Sequence, residues 1–157
     1  MSVETLYQEI ILDHYRSPRN KGELTVPPAH KVEGFNPLCG DEVVLYLDVN
    51  ADGVVEDLKI NGQGCSISQA SISVMSELVA GGPVSEAEEL GETFRALMHA
   101  RGQGLDAKAE DRLGDATAFT GVARYPARIK CALIGWAALR DALIQSGVAG
   151  TTQEENP

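Results

Sequence analysis

Asp41-Glu42-Val43-Val44-Leu45-Tyr46-Leu47-Asp48-Val49, followed by Asn50-Ala51-Asp52-Gly53 and Val54-Val55-Glu56-Asp57-Leu58-Lys59-Ile60-Asn61, is the stretch that decides the fold class. Successive side chains of a strand point to opposite faces, so Val43, Leu45, Leu47 and Val49 share one face and predict a half-buried strand. Asn50 to Gly53 reads as a hairpin turn, with Gly53 supplying a positive φ, and Val54 to Asn61 as the returning strand. A shorter strand over Lys31 to Phe35 would complete a three-stranded antiparallel sheet.

On either side of the sheet the period changes. Leu6, Ile10, Ile11 and Leu12 give the opening segment a broad apolar face, which predicts a helix capped by Ser2. Ser17-Pro18 ends it, because proline disfavours the helical conformation of the residue before it. After Gly64, Ser66-Ile67-Ser68-Gln69 fits a capping box, and Ile67, Ala70, Val74 and Leu78 repeat at helical spacing as far as Gly81-Gly82. Ser85 to Ala100 predicts a second helix with Leu90, Phe94, Leu97 and Met98 inward. Gly102 to Gly121 reads as irregular or briefly helical. Pro126 suits a first helical position, and Ala127 to Ser146 carries the strongest helical pattern. Strands first and helices afterwards predict an α+β fold: an N-terminal helix, a three-stranded antiparallel sheet, then a helical C-terminal half packed on it. One domain is expected over residues 1–146, with a polar, disordered tail over 147–157.

Composition narrows the function. The 157 residues carry 13 Lys+Arg against 23 Asp+Glu, a formal charge of −10, which makes a phosphate backbone an unfavourable partner. Hydrophobic residues at 43% suit a soluble globular chain, and no run of apolar residues is long enough to span a bilayer. The first residues lack the pattern of a targeting peptide, and three widely spaced cysteines do not make a disulfide framework. A reducing cytoplasm is the expected setting, with neither nucleic acid nor membrane as partner.

The chemistry gathers at the three cysteines. In Asn36-Pro37-Leu38-Cys39-Gly40-Asp41, Cys39 and Asp41 project to the same side of an extended backbone, and a thiolate beside a carboxylate looks like two metal ligands. A plain turn with Cys39 as passenger is the competing reading. In Gly62-Gln63-Gly64-Cys65-Ser66, Cys65 precedes a helix, where orphan amides and the helix dipole favour a thiolate. There the alternative is a small hydrophobe plugging a corner. In Tyr125-Pro126-Ala127-Arg128-Ile129-Lys130-Cys131-Ala132, Cys131 lies in the second turn of the last helix, with Arg128 on the same face to stabilise a thiolate; an ordinary buried cysteine is the other possibility. Taken together, three thiolates and one carboxylate supply the four ligands of a tetrahedral zinc. The absence of any Cys-x-x-Cys clip argues against a zinc finger, and leaves a cysteine able to depart without unfolding the protein. Of the histidines, His14 reads as a cation at a helix C-terminus, His30 and His99 as surface residues, and none as a ligand.

These motifs are recognisable together. Ile11-Leu12-Asp13-His14-Tyr15-Arg16-Ser17-Pro18-Arg19-Asn20, Asn36-Pro37-Leu38-Cys39-Gly40-Asp41, Gly64-Cys65-Ser66-Ile67-Ser68 and Pro126-Ala127-Arg128-Ile129-Lys130-Cys131-Ala132 resemble, in order, the iron–sulfur assembly family that includes NifU N-terminal domains, IscU and SufU. Lys130 stands where the IscU pattern has His, and an insertion of roughly twenty residues within Glu92 to Gly121 lengthens the path to Cys131. Both departures point to the SufU branch.

The resemblance implies a zinc site of Cys39, Asp41, Cys65 and Cys131, with Cys39 as acceptor of persulfide sulfur. It implies as partners a SufS-type cysteine desulfurase and downstream iron–sulfur assembly proteins. The alternatives are a scaffold that builds an iron–sulfur cluster, [2Fe–2S], on the same four residues, and a structural zinc domain that mediates protein contacts. Four anionic ligands around one dication leave a net negative centre, for which Arg124, Arg128 and Lys130 are the expected local counterweight.

Overall fold

The computed structural model describes residues 3–38 and 40–147. The expected Ser2 cap, Cys39 and the tail from 148 onward lie outside the described residues. Helix α1 (Val3–Arg16) is followed by strands β1 (His30–Asn36), β2 (Asp41–Val49) and β3 (Val55–Gln63), then α2 (Ser66–Val79), α3 (Val84–Met98), α4 (Ala107–Leu113), a 3₁₀ segment over Gly114–Arg124 and α5 (Pro126–Gln145). The sheet is an antiparallel meander in the order β1-β2-β3, as the hairpin pattern predicts. Val43, Leu45 and Leu47 are fully buried and Val49 partly so, and the stretch expected to be irregular or briefly helical before α5 holds the short helix α4 and most of the 3₁₀ segment. No helix among the described residues is long and apolar enough to cross a membrane.

The outer edge of β3 is covered by the chain that leaves α1. Ile60 donates its N–H to the Asn20 carbonyl, and Gly22 donates to the Ile60 carbonyl, both at 2.9 Å. Backbone groups that would otherwise form an open edge are thereby satisfied. On the far side α5 packs across β1 and β2, close enough that Ile134 Cγ1 would sit 3.1 Å from a Cβ at Gly34. The α2–α5 crossing is tighter still, since a Cβ at Gly135 would come within 2.8 Å of Ile72 Cβ. Between α3, α5 and the 3₁₀ segment, Phe94 stacks on Trp136 at 4.7 Å and meets Phe119 edge-on at 5.9 Å. Such ring pairs add about 0.5–1.5 kcal/mol each beyond the area they bury.

Helix α2 differs from its expected form in two ways. Its N-cap is Cys65, not Ser66: the Cys65 sulfur accepts the Ser68 N–H at 3.5 Å. Gln69 turns away from the cap and donates to the Glu42 carbonyl at 3.2 Å, so no capping box forms. The helix is also buried nearly all round, serines included. Ser71 donates to the Ala132 carbonyl at 2.7 Å and accepts from Trp136 Nε1 at 3.2 Å. Ser73 and Ser76 take the chain that leaves α1, accepting from the Arg19 N–H at 2.9 Å and from Asn20 Nδ2 at 3.0 Å. Buried hydroxyls satisfied in this way join α1 and α5 to one polar spine.

His14 belongs to that spine and is not the helix-end cation expected from its position. It is 2% exposed, with Nδ1 at 2.8 Å from Ser73 Oγ and Nε2 at 3.5 Å from Glu77 Oε1. Burial, seconded by the Arg19 charge, pushes its pKa below the usual 6.5 against the pull of Glu77, Asp115 and Asp13. The ring is therefore neutral near pH 7, and its contact with Glu77 is dipolar. Because the folded value lies below the unfolded one, the His14 contribution to stability is complete above about pH 6.5 and is lost as pH falls through the folded value. Denaturant midpoints measured between pH 7.5 and 5 should fall more steeply for wild type than for His14→Gln; parallel curves would refute this role.

Candidate metal and sulfur site

Three elements of different origin converge on one point. Asp41 opens β2 directly opposite Asn36, the last residue of β1, so the turn between them carries Cys39 in sequence. Cys65 caps α2, and Cys131 lies in the second turn of α5. Ligand atoms of Asp41, Cys65 and Cys131 all fall within 4.8 Å of one another. Asp41 and Cys131 are fully buried, and Cys65 is half-buried.

Asp41 organises the centre. Its Oδ1 accepts the Cys65 N–H at 2.8 Å, and its Oδ2 lies 3.7 Å from the Cys65 sulfur. Burial pushes its pKa up, but hydrogen bonds from the Cys65 amide, from the Cys131 and Cys65 thiols and from Ser68 outweigh that push and hold it below 3.8. The close approach depends on Gly64. Its φ is +151°, and a Cβ there would lie 2.5 Å from Asp41 Oδ1 and 2.9 Å from Asp41 Cα. Gly64 is thus set against the carboxylate itself.

The donor set fits zinc. Tetrahedral coordination with sulfur at about 2.3 Å and oxygen at about 2.0 Å places neighbouring ligand atoms about 3.5–3.8 Å apart. The Asp41 Oδ2 to Cys65 Sγ separation is 3.7 Å, close to the sulfur–oxygen edge of about 3.5 Å at the short end of that range. Two thiols and a depressed carboxyl are three of the four expected ligands; Cys39, the fourth, is outside the described residues. Arg128 is exposed in the first turn of α5, Lys130 is exposed beside Cys131, and Arg124 lies across Gly102 in the connection between α3 and α4.

Asn36 was not singled out in the sequence. It is 7% exposed, and its Nδ2 donates to the Cys131 sulfur at 3.7 Å. The available signal was an amide residue at the end of a strand that also supplies the cysteine loop. A second polar cluster, His14 with Glu77 and Asp115, is part of the α1–α2 spine and is separate from the cysteines.

A small α+β domain whose Asp41, Cys65 and Cys131 donor atoms converge, with a further cysteine two residues before the aspartate in sequence, is the architecture of an iron–sulfur assembly protein. The chain belongs to the family of the NifU-like N terminal domain, whose model matches residues 6–132. It is 41% identical over 138 residues to the zinc-dependent sulfurtransferase SufU of Bacillus subtilis, covering 88% of this chain and 89% of that protein. It is also 41% identical over 143 residues to the iron–sulfur cluster assembly scaffold protein IscU of Thermotoga maritima, covering 91% of this chain and 96% of that one. Among solved structures it resembles a putative SUF-system iron–sulfur cluster assembly scaffold protein from Fervidobacterium islandicum, with a TM-score of 0.76, 38% identity, and coverage of 90% and 99% of the two chains.

Proposed function

We propose that this protein is a zinc-binding sulfur carrier of the cytoplasm that accepts persulfide sulfur from a SufS-type cysteine desulfurase and passes it to downstream iron–sulfur assembly proteins. The convergence of Asp41, Cys65 and Cys131 donor atoms within 4.8 Å carries this reading. Bound zinc would keep its thiolate ligands deprotonated while subduing their reactivity. Asp41, Cys65 and Cys131 come from three elements and would keep the centre, while the family resemblance assigns Cys39 as the member that leaves it to accept sulfur. The Cys39 thiolate attacks the terminal sulfur of the enzyme's persulfide. A new S–S bond forms on Cys39, the old one breaks, and the enzyme's cysteine departs as thiolate with the electron pair, so no external oxidant is required. Arg128 is assigned to stabilise the anionic sulfur.

The surface around the turn supports docking. Phe35 and Leu38 are 65% and 74% exposed, and with Lys130, Leu133, Ile134 and Ala137 they line a shallow depression beside the site. Exposed large apolar side chains grouped beside a reactive centre mark a protein contact. Phe35→Ser and Leu38→Ser should each raise the concentration of this protein that half-stimulates the desulfurase, by about tenfold for a central contact worth ~1.4 kcal/mol. Unchanged half-stimulation in both variants would remove the patch from the docking surface.

A second reading, assembly of a [2Fe–2S] cluster on the same residues as cargo, is favoured by the near full-length similarity to the Thermotoga IscU. Metal analysis of protein purified without added iron or zinc separates the two. One zinc per chain and no visible absorption support the carrier; a coloured protein with bound iron and sulfide supports the scaffold.

A further inference from the structure

Asn36 touches both halves of the site through three separate groups. Its carbonyl accepts the Gly40 N–H at 2.8 Å, and its Oδ1 accepts the Leu38 N–H at 3.2 Å. Its Nδ2 donates to the Cys131 sulfur at 3.7 Å, 95 residues further along the chain. The amide orientation follows from donor chemistry. A backbone N–H can only donate, so the oxygen must face Leu38, and the NH₂ is left for the sulfur. The residues tied down by the carbonyl and Oδ1 are those on either side of Cys39.

We propose that Asn36 is a positioning residue of the sulfur-acceptor site, holding the Cys39 turn in register with Cys131 while donating an N–H to the Cys131 sulfur. The inference rests on the sulfur-carrier reading. A centre of three thiolates and a carboxylate around one dication carries excess negative charge, and in a buried site each N–H aimed at sulfur offsets part of it. The Asn36 amide supplies that donor on the β1 side, as the Ser68 N–H does for Cys65 on the α2 side. One side chain thereby links the ligand that stays to the turn whose cysteine must leave and return.

The test compares Asn36→Asp and Asn36→Ala with wild type. Asn36→Asp keeps the shape and the acceptor for Leu38 but replaces the donor at Cys131 with a carboxylate oxygen. Zinc affinity, measured by competition with a chelating dye, should fall about 10–100-fold, the usual effect of losing a partner behind a metal ligand. In cobalt(II)-substituted protein, the thiolate-to-metal absorption should move to lower energy, because a sulfur without its N–H donor gives up charge more readily. Asn36→Ala introduces no charge and should move both readouts in the same direction, so misfolding of one variant leaves the other decisive. Reduced affinity with an unshifted absorption would assign Asn36 to loop stability and overturn the donor role. Folded variants that bind zinc as tightly as wild type, with unshifted cobalt spectra, would overturn the whole inference and leave the carrier reading standing. Wild-type protein that takes up neither metal would overturn both.

Discussion

Cys39→Ser is expected to reduce sulfur acceptance to the level of the desulfurase acting alone. A serine hydroxyl at neutral pH presents almost no anion, whereas a cysteine thiol is the most readily ionised and most nucleophilic of the candidate side chains. The core has no reason to change, because the turn joins two strands whose register runs unbroken from His30 opposite Leu47 to Asn36 opposite Asp41. Cys131→Ser should behave differently. Its side chain is fully buried and hydrogen-bonded to Asn36 and to the Ala127 carbonyl, so its loss should remove a proposed ligand and weaken metal retention. The measurement is alanine release by the desulfurase with free cysteine, with mass spectrometry to locate the added sulfur. Full acceptance by Cys39→Ser, or added sulfur found on Cys131, would overturn the assignment of Cys39.

Gly64→Ala is expected to damage the fold and the centre together. The residue has φ +151°, and its new Cβ would lie 2.5 Å from Asp41 Oδ1 and 3.1 Å from Ser68 Oγ. Backbone strain and overpacking together should cost about 2–4 kcal/mol. The displaced carboxylate would also lose the Cys65 N–H, so metal affinity should fall along with stability. Gly81→Ala is the matched control. It too has a positive φ, +82°, but a Cβ there meets nothing within 4 Å. Gly81→Ala should therefore show the backbone cost alone, near 1 kcal/mol, with metal binding intact. Equal metal affinity in Gly64→Ala and wild type would show that Asp41 does not need its present position.

Much of the site was legible because its residues sit at element ends. Asp41 begins a strand, Cys65 precedes a helix, and Cys131 follows a proline-started first turn; each position is readable from local patterning. The cap of α2 was misread by one residue. Ser66 is the better capping residue by type, yet the Cys65 sulfur takes the Ser68 N–H because the Cys65 amide is itself held by Asp41, 24 residues earlier. His14 was misread for a related reason. A histidine at a helix end suits the dipole when exposed, but Ser73 and Glu77, on another helix, enclose it. The buried serines of α2 belong to the same class, since nothing in their neighbourhood states that α1 and α5 will cover them.

What the amino-acid sequence determined by itself is the element order, the meander, the inward faces of β2 and α3, and the four residues proposed as ligands. These follow from short-range periodicity, turn chemistry and motif spacing, which act over a few residues. Only the tertiary structure decided that Asp41, Cys65 and Cys131 share one buried point and that Gly64 must leave room for a carboxylate. It alone showed that Asn36 reaches a sulfur 95 positions away and that His14 is buried, where desolvation disfavours its charged form. Those outcomes depend on which faces meet when α2 and α5 close over the sheet. Desolvation and long-range hydrogen bonding exist only once those faces have met.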